Sequence, residues 1–379
     1  MEKKYTAAII GAGALVGSGK KGGGHQIGYT HAAAYQGQPR VKLVAVADIN
    51  AENRHAFQQK FGVEKGFADY RVMLGECRPD LVSICTYVGL HHEMIISAAR
   101  AGAKGIFCEK PFITSPVALA DVQRQAQETG VKITVAHIRR HLPAFIRARE
   151  LYQSGAVGQP LMCIAGIAGW DLSEWGSHWL DMFRFFHHDR PVRWVFGQAR
   201  VRSLRGYGHA MEDHAVAYFE FDGGGKGILD GGMAMNGPWT MTLVGTEGTI
   251  RIQREDTVVL DTVAGRKTET FPADGAYIYI WRKMVSDLID WIEGGAEPVT
   301  GLTSMAQSAE LNLAAYISAL RGDRIDLPLS GAAAAIDQWP VELLAQRNGL
   351  PRKNEGSGRK WDGGHLTSNQ RPKTRNRKP

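Results

Sequence analysis

From Tyr5 to Ala136 the sequence alternates between short apolar runs and segments of helical composition, and no other feature restricts the fold as much. Tyr5–Ile10, Val41–Ala47, Asp80–Cys85, the run ending in Phe107-Cys108 and Lys132–Ala136 read as strands. Ala51–Phe61, Asp69–Gly75, a segment ending at Arg100 and Val117–Thr129 read as the helices between them. Strands that are apolar on both faces belong to a parallel sheet, because parallel pairing needs crossovers and the crossover helices cover both faces. The expectation is therefore an α/β fold whose first part is a doubly wound parallel sheet. In such sheets ligands bind beyond the carboxyl ends of the strands. The residues that follow each strand therefore matter most.

The first strand runs into Gly11-Ala12-Gly13. A G-x-G after a strand opens a dinucleotide fingerprint: one glycine makes the turn and the next lets backbone approach a pyrophosphate. The third glycine is displaced. Gly28, at the start of a helical segment, takes that place, and residues 14–26, with Lys20 and Lys21, form an insertion in the phosphate loop. The second strand ends at Asp48, where a carboxylate accepts hydrogen bonds from ribose hydroxyls and repels a 2′-phosphate, favouring NAD over NADP. Its other available duty, compatible with the first, is to cap the helix Ala51–Phe61. The strand ending in Glu109-Lys110-Pro111 places an ammonium at the carboxyl edge, and the X-Pro bond favours a cis peptide there.

After Val157 the pattern changes. Strands follow one another at Leu161–Ala168, Val192–Val201, Ala215–Phe221, Gly227–Met233, Thr240–Val244, Thr249–Gln253 and Val258–Thr262, divided by turns such as Asp222-Gly223-Gly224-Gly225. This predicts an α+β unit with a large, mostly antiparallel, open-faced sheet. A helix at Ser173–Phe186 interrupts it, and Tyr279–Glu293 and Ser304–Arg321 close it, the latter from a capping box at Ser304. The expected organisation is residues 1–137, 138–350 and a basic tail, 351–379.

The formal charge of +7 lies in that tail, which leaves 36 basic and 36 acidic side chains in the rest. The tail is too polar to bury a core and is expected to be disordered, so its charge does not imply a specific nucleic-acid partner. No apolar run is long enough for a membrane span. Four scattered cysteines without a CxxC suit free thiols in a reducing cytoplasm, and no metal site is expected.

On the helix Ser173–Phe186, Trp175, Trp179, Phe183 and Phe186 form one stripe, with Glu174, His178 and Asp181 beside it. A carboxylate one turn before an imidazole can fix its tautomer. The same pattern also fits a surface helix with local ion pairs such as Asp181–Arg184, and the tryptophans fit core as well as sugar platform.

Together these pieces resemble the Gfo/Idh/MocA family of NAD(P)-dependent sugar and polyol oxidoreductases, from about Lys4 to Leu329. The similarity rests on the G-x-G, GYTHAAAY, ADIN, Thr86–Glu93, GIFCEKPF, HIRRHLPAF, EWGSHWLD and LVGTEGTIRI. It implies a Rossmann domain with NAD, with Gly11, Gly13 and Gly28 on the pyrophosphate and Asp48 on the ribose. It also implies Thr86, His91 and Glu109 on the nicotinamide side, Lys110 holding the reacting hydroxyl and His178 as acid/base. Trp170, Trp175, Trp179 and Trp239 are candidates to stack on a pyranose, and Arg139, Arg140 and His141 to meet an anionic substituent. The resemblance further implies a homo-oligomer, dimer or tetramer, built on the open sheet. The chain departs from the family in the insertion, in Tyr87-Val88 for the usual Pro-Asn, and in Glu174 for the common Asp. A methylene there moves a carboxylate by about an ångström, which matters at reacting distance. Two alternatives follow: a glycoside hydrolase that oxidises its sugar transiently with a retained NAD, and a non-catalytic NAD-binding sensor.

Overall fold

The computed structural model describes residues 5–14, 26–202, 204–205, 209–232, 240–271 and 276–350. Most of the expected phosphate-loop insertion, with Lys20 and Lys21, lies outside the described residues, as do Trp239 and the basic tail. The first part runs β1 (Tyr5–Ile10), α1 (Ile27–Gln36), β2 (Val41–Ala47), α2 (Ala51–Phe61), β3 (Lys65–Phe67), α3 (Tyr70–Cys77), β4 (Leu81–Ile84), α4 (His91–Arg100), β5 (Gly105–Cys108), α5 (Pro116–Thr129) and β6 (Lys132–Val135). Then come α6 (Pro143–Gln153), β7 (Pro160–Ala168), α7 (Gly176–Phe186), β8 (Val192–Arg200), β9 (Leu204–Arg205), β10 (His209–Ala210), β11 (His214–Phe221), β12 (Lys226–Gly232), β13 (Thr240–Gly245), β14 (Gly248–Gln253), β15 (Thr257–Thr262) and β16 (Gly265–Thr270). The chain closes with α8 (Ala276–Ile292), α9 (Leu302–Arg321), β17 (Ile325–Asp326), α10 (Gly331–Ala334) and α11 (Pro340–Arg347).

The first sheet is wholly parallel, in the order β3-β2-β1-β4-β5-β6. Every residue of β4 and β5 is buried, as their unbroken apolar runs require. Register aligns the strand ends, with Ile10 level with Ala47 and Ile84, Ile84 with Cys108, and Cys108 with Val135. The next residues, Gly11, Asp48, Cys85, Glu109 and Ala136, therefore stand in a row along the carboxyl edge. Asn50, not Asp48, caps α2, its side chain accepting from the Glu52 and Asn53 amides.

The second sheet has nine strands, β16-β15-β14-β13-β7-β12-β11-β8-β17, antiparallel except between β7 and β12. Helices α6, α7 and α9 cover one face. On the other, Ile164, Ile228, Tyr218 and Phe196 sit side by side in register, and Phe196 is 45% exposed. The helices that end the body do not stay with this sheet. Trp281 of α8 packs on Phe107 of β5 at 5.5 Å between ring centroids, and Arg40 pairs with Asp290 and Glu293. Helix α9 starts at Leu302, before the expected Ser304. The Glu297 carboxylate reaches over to accept the Thr303 amide and hydroxyl, both at 2.8 Å, and does the work assigned to the capping box.

Candidate active site

The glycine turn after β1 is built around a close approach. Gly11 has φ 92°, and a Cβ on Gly28, in the first turn of α1, would lie 2.4 Å from the Gly11 carbonyl oxygen. Only glycine at position 28 lets the helix start against the turn. Close helix–strand packing of this kind is what the third glycine of a dinucleotide fingerprint permits. The amino end of α1 comes to rest against the glycine turn, and a helix amino end is a favourable place for an anion. Asp48 accepts the Gly13 amide at 3.0 Å and the Asn50 amide at 2.8 Å, so its carboxylate is fixed at the rim.

A cavity of about 470 Å³ runs from Gly11, Gly13 and Asp48, past the exposed Ile49, to Thr86, Tyr87, Glu109, Lys110 and Glu174. The Lys110–Pro111 peptide is cis. Lys110 Nζ donates to Glu174 Oε2 and to the Glu174 backbone carbonyl, each at 3.3 Å. This contact joins the edge of the first sheet to the segment before α7. Glu174 therefore lies in a turn, outside the helix, and does not orient His178 as its spacing suggested. Buried acids hold that turn. Asp171 accepts the Glu174 amide at 3.0 Å and the Ser173 hydroxyl at 2.6 Å. Glu212 accepts the Leu172 amide and, at 2.9 Å, the Tyr316 hydroxyl, while Asn312 donates to the Leu172 carbonyl at 2.8 Å. Burial, then mutual repulsion with Glu212 and Glu174, pushes the Asp171 carboxyl well above the usual range, and burial also raises Glu212.

All of α7 is buried, which removes the surface-helix alternative. His178 stands edge-on to His137, with ring centroids 5.4 Å apart, and its Nδ1 has no hydrogen-bond partner among the described residues. Burial, reinforced by the positive charges of Arg139 and Lys110, holds its pKa well below the ordinary imidazole value, so the ring is kept neutral and is not poised near neutrality. His178 is not among the residues lining the cavity described above.

Three other expectations change. His91 is fully buried, with Nδ1 3.1 Å from the Phe112 carbonyl and Nε2 3.0 Å from that of Thr86. It braces the Thr86 loop and does not face the cavity. Arg140 is also buried. It spends its guanidinium on Asp181 (2.8–3.1 Å), Asp189 (2.6 and 3.0 Å) and the Val299 carbonyl, leaving no free face for an anionic substrate. Asp181 thus pairs with Arg140 rather than with Arg184, and this holds its carboxyl at about 2 against the upward push of burial. Trp170 and Trp175 lie 5.5 Å apart, centroid to centroid, and Trp175 carries the Arg139 guanidinium on its ring at 5.1 Å. Neither lines the same cavity. Spacing gave no sign of Asp171, Glu212 or Tyr316, because three distant segments supply them. His31 had one signal, a polar residue among the buried alanines of α1.

A parallel sheet in this order, with a glycine turn pressed on a helix start and an acidic tip on β2, defines a dinucleotide-binding domain of the Rossmann class. The chain belongs to the Gfo/Idh/MocA oxidoreductase family. The family's NAD-binding Rossmann domain matches residues 7–137, and its C-terminal domain matches residues 145–251. Among similar proteins, D-apiose dehydrogenase of Paraburkholderia graminis is 26% identical over 356 residues, 86% of this chain and 90% of the relative. The scyllo-inositol 2-dehydrogenase (NAD(+)) of Bacillus subtilis is 29% identical over 271 residues, 66% of this chain and 75% of the relative. An oxidoreductase from Agrobacterium radiobacter, solved with NAD+, L-tartaric acid and magnesium, shares the fold at a TM-score of 0.70 and 20% identity, over 86% of this chain and 98% of the other. NAD is the cofactor, and the cradle at Gly11 and Gly28 fits it. No helix among the described residues is long and apolar enough to cross a membrane.

Proposed function

We propose that this oxidoreductase acts on a secondary hydroxyl of an uncharged sugar, glycoside or polyol. The Lys110–Glu174 contact at the inner end of the glycine-lined cavity carries this reading. An ammonium and a carboxylate 3.3 Å apart offer a donor and an acceptor side by side, which suits neighbouring hydroxyls better than a carboxylate substrate. The names of the dehydrogenases quoted above point to the same substrate class.

Bound NAD supplies the hydride acceptor. Gly11, Gly13 and Gly28 serve the pyrophosphate, Asp48 the ribose, and Thr86 and Glu109 the nicotinamide side. Lys110 holds the reacting hydroxyl, and Glu174 keeps Lys110 in place and accepts from an adjacent hydroxyl. His178, held neutral, takes the hydroxyl proton. Arg140 is assigned to the scaffold.

In this reading residues 1–137 bind the nucleotide and residues 138–350 supply the substrate side, with α8 returning to brace the first sheet. The apolar row Ile164–Ile228–Tyr218–Phe196 supports a homo-oligomer through the open sheet. The buried free thiols Cys85, Cys108 and Cys163 support a cytoplasmic location.

The test is NADH formation at 340 nm over a panel of inositols, pentoses and glucosides, with Lys110→Met as the inactive reference. Aryl glycosides run alongside. Aglycone release without net NADH would replace this reading with redox-neutral elimination.

A further inference from the structure

Glu109 lines the cavity beside Lys110, and the protein fixes both of its oxygens. Oε1 stands 3.1 Å from His31 Nε2, and Oε2 accepts the Lys110 amide at 3.2 Å. Behind it, His31 Nδ1 lies 2.9 Å from Ser83 Oγ, which lies 2.8 Å from the Tyr35 hydroxyl. Tyr35, Ser83 and His31 have no exposure at all, and the His31 ring is held between Phe107 at 4.4 Å and Trp281 at 4.7 Å. An ionised carboxylate only accepts, so Nε2 must carry its hydrogen toward Glu109. Nδ1 then faces a hydroxyl that can donate or accept, and the Tyr35 hydroxyl behind it has the same freedom. Burial pushes the Glu109 carboxyl up, but the His31 hydrogen bond and the charges of His31 and Lys110 more than offset this and leave it below its ordinary value.

The chain of contacts links two distant parts of the cofactor site. His31 sits one turn beyond Gly28, the glycine that seats α1 against the phosphate turn. Glu109 is the residue before Lys110. We propose that His31 is a positioning residue: by gripping Glu109 it locks the strand end that carries Lys110 to the helix that receives the pyrophosphate. Both ends of the cofactor site then hold one spacing. Nothing else among the described residues bonds the Glu109 side chain. The inference rests on NAD occupying this cavity and not on which substrate is oxidised.

The test uses the full-length protein and NADH fluorescence titration, so no sugar is needed. A glutamine amide reaches about as far as Nε2 and an asparagine amide about as far as Nδ1. His31→Gln therefore keeps the grip on Glu109, and His31→Asn keeps only the contact with Ser83. A lost hydrogen bond to a charged group predicts NADH affinity about tenfold weaker in H31N, with H31Q within about threefold of the native protein. In a Glu109→Gln background the H31N loss should shrink to about twofold or less, since the group it acts through has changed. Equal losses in H31N and H31Q, or an undiminished H31N loss beside E109Q, would overturn the proposal. If the His31 variants do not fold, Ser83→Ala and Tyr35→Phe remove single hydroxyls. Weakened NADH binding in S83A supports the proposal, and native affinity in both overturns it. The predicted pattern of NADH affinities without polyol oxidation would support the role of His31 and retire the dehydrogenase reading.

Discussion

Gly28→Ala tests the cofactor site at its tightest point. The added Cβ would stand 2.4 Å from the Gly11 oxygen, 3.0 Å from the Ala12 oxygen and 3.3 Å from the Ala12 Cα. All three are backbone atoms, so no side chain can swing away. The start of α1 and the glycine turn must part by about 0.6 Å to relieve the closest contact even to 3.0 Å. Overpacking of this kind costs about 1–3 kcal/mol, or a factor of about 5 to 150 in an equilibrium. In the proposed cofactor site both sides of the clash face the pyrophosphate, so separating them should act on NAD affinity as well as on the fold.

NADH affinity of G28A should fall at least about fivefold, and melting should shift down by a few degrees, with less recovery on adding NADH. Gly75→Ala is the control. Gly75 is exposed within α3, and a Cβ there meets nothing within 4 Å. Ala should stabilise that helix by about 0.5–1 kcal/mol and leave NADH binding alone. Native NADH affinity and melting in G28A would refute the close approach, and with it the claim that a glycine this far along the chain completes the fingerprint.

Arg140→Ala leaves Asp181 buried without its partner and should cost about 3–5 kcal/mol in urea unfolding. The KM of the surviving enzyme should stay near native, because the guanidinium faces no substrate. The same pair stabilises the fold above the ordinary carboxylate range, and that stability should be lost as pH falls toward the folded-state value of about 2. Asp171 and Glu212 act in the opposite sense. Their carboxyls are raised in the fold, so it holds more protons than the unfolded chain, and stability falls as pH rises from the ordinary carboxylate range through the raised values. Asp171→Asn should flatten that decline in melting temperature above the ordinary carboxylate range, as measured by calorimetry across pH, while an unchanged slope would place the titration elsewhere. His178→Asn should lower kcat about 10²–10⁴-fold with NADH affinity unchanged, and a loss of NADH binding instead would remove His178 from the proton step.

What could be read from the chain follows the range of the forces involved. The strand-end row Gly11, Asp48, Glu109 was legible because apolar runs of fixed period set parallel strands in register, and register is a backbone property. Side-chain partners across the two halves were not. Glu174 and His178, four residues apart, would share a face only if the helix reached back to Ser173, and it begins at Gly176. Asp171 holds Glu174 and Ser173 in the preceding turn, so the spacing loses its helical meaning and the carboxylate turns to Lys110. Arg140 escapes the sequence for the same reason. A surface arginine and a buried one look alike until Asp181 and Asp189 arrive from elsewhere to pair with it. The Glu174 substitution ties these points together. It departs from the Asp common in the family, and its carboxylate makes the contact between the edge of the first sheet and the segment before α7. The pair it forms is neutral overall, so a negatively charged substrate gains little from Lys110, whereas a diol finds a donor for one hydroxyl and an acceptor for the next. Glu174→Gln keeps the shape and removes that balance, leaving the ammonium alone at the end of the cavity. Its effect should therefore be a shift in preference toward acidic sugars relative to neutral polyols, read as the ratio of kcat/KM for a uronate and its parent sugar.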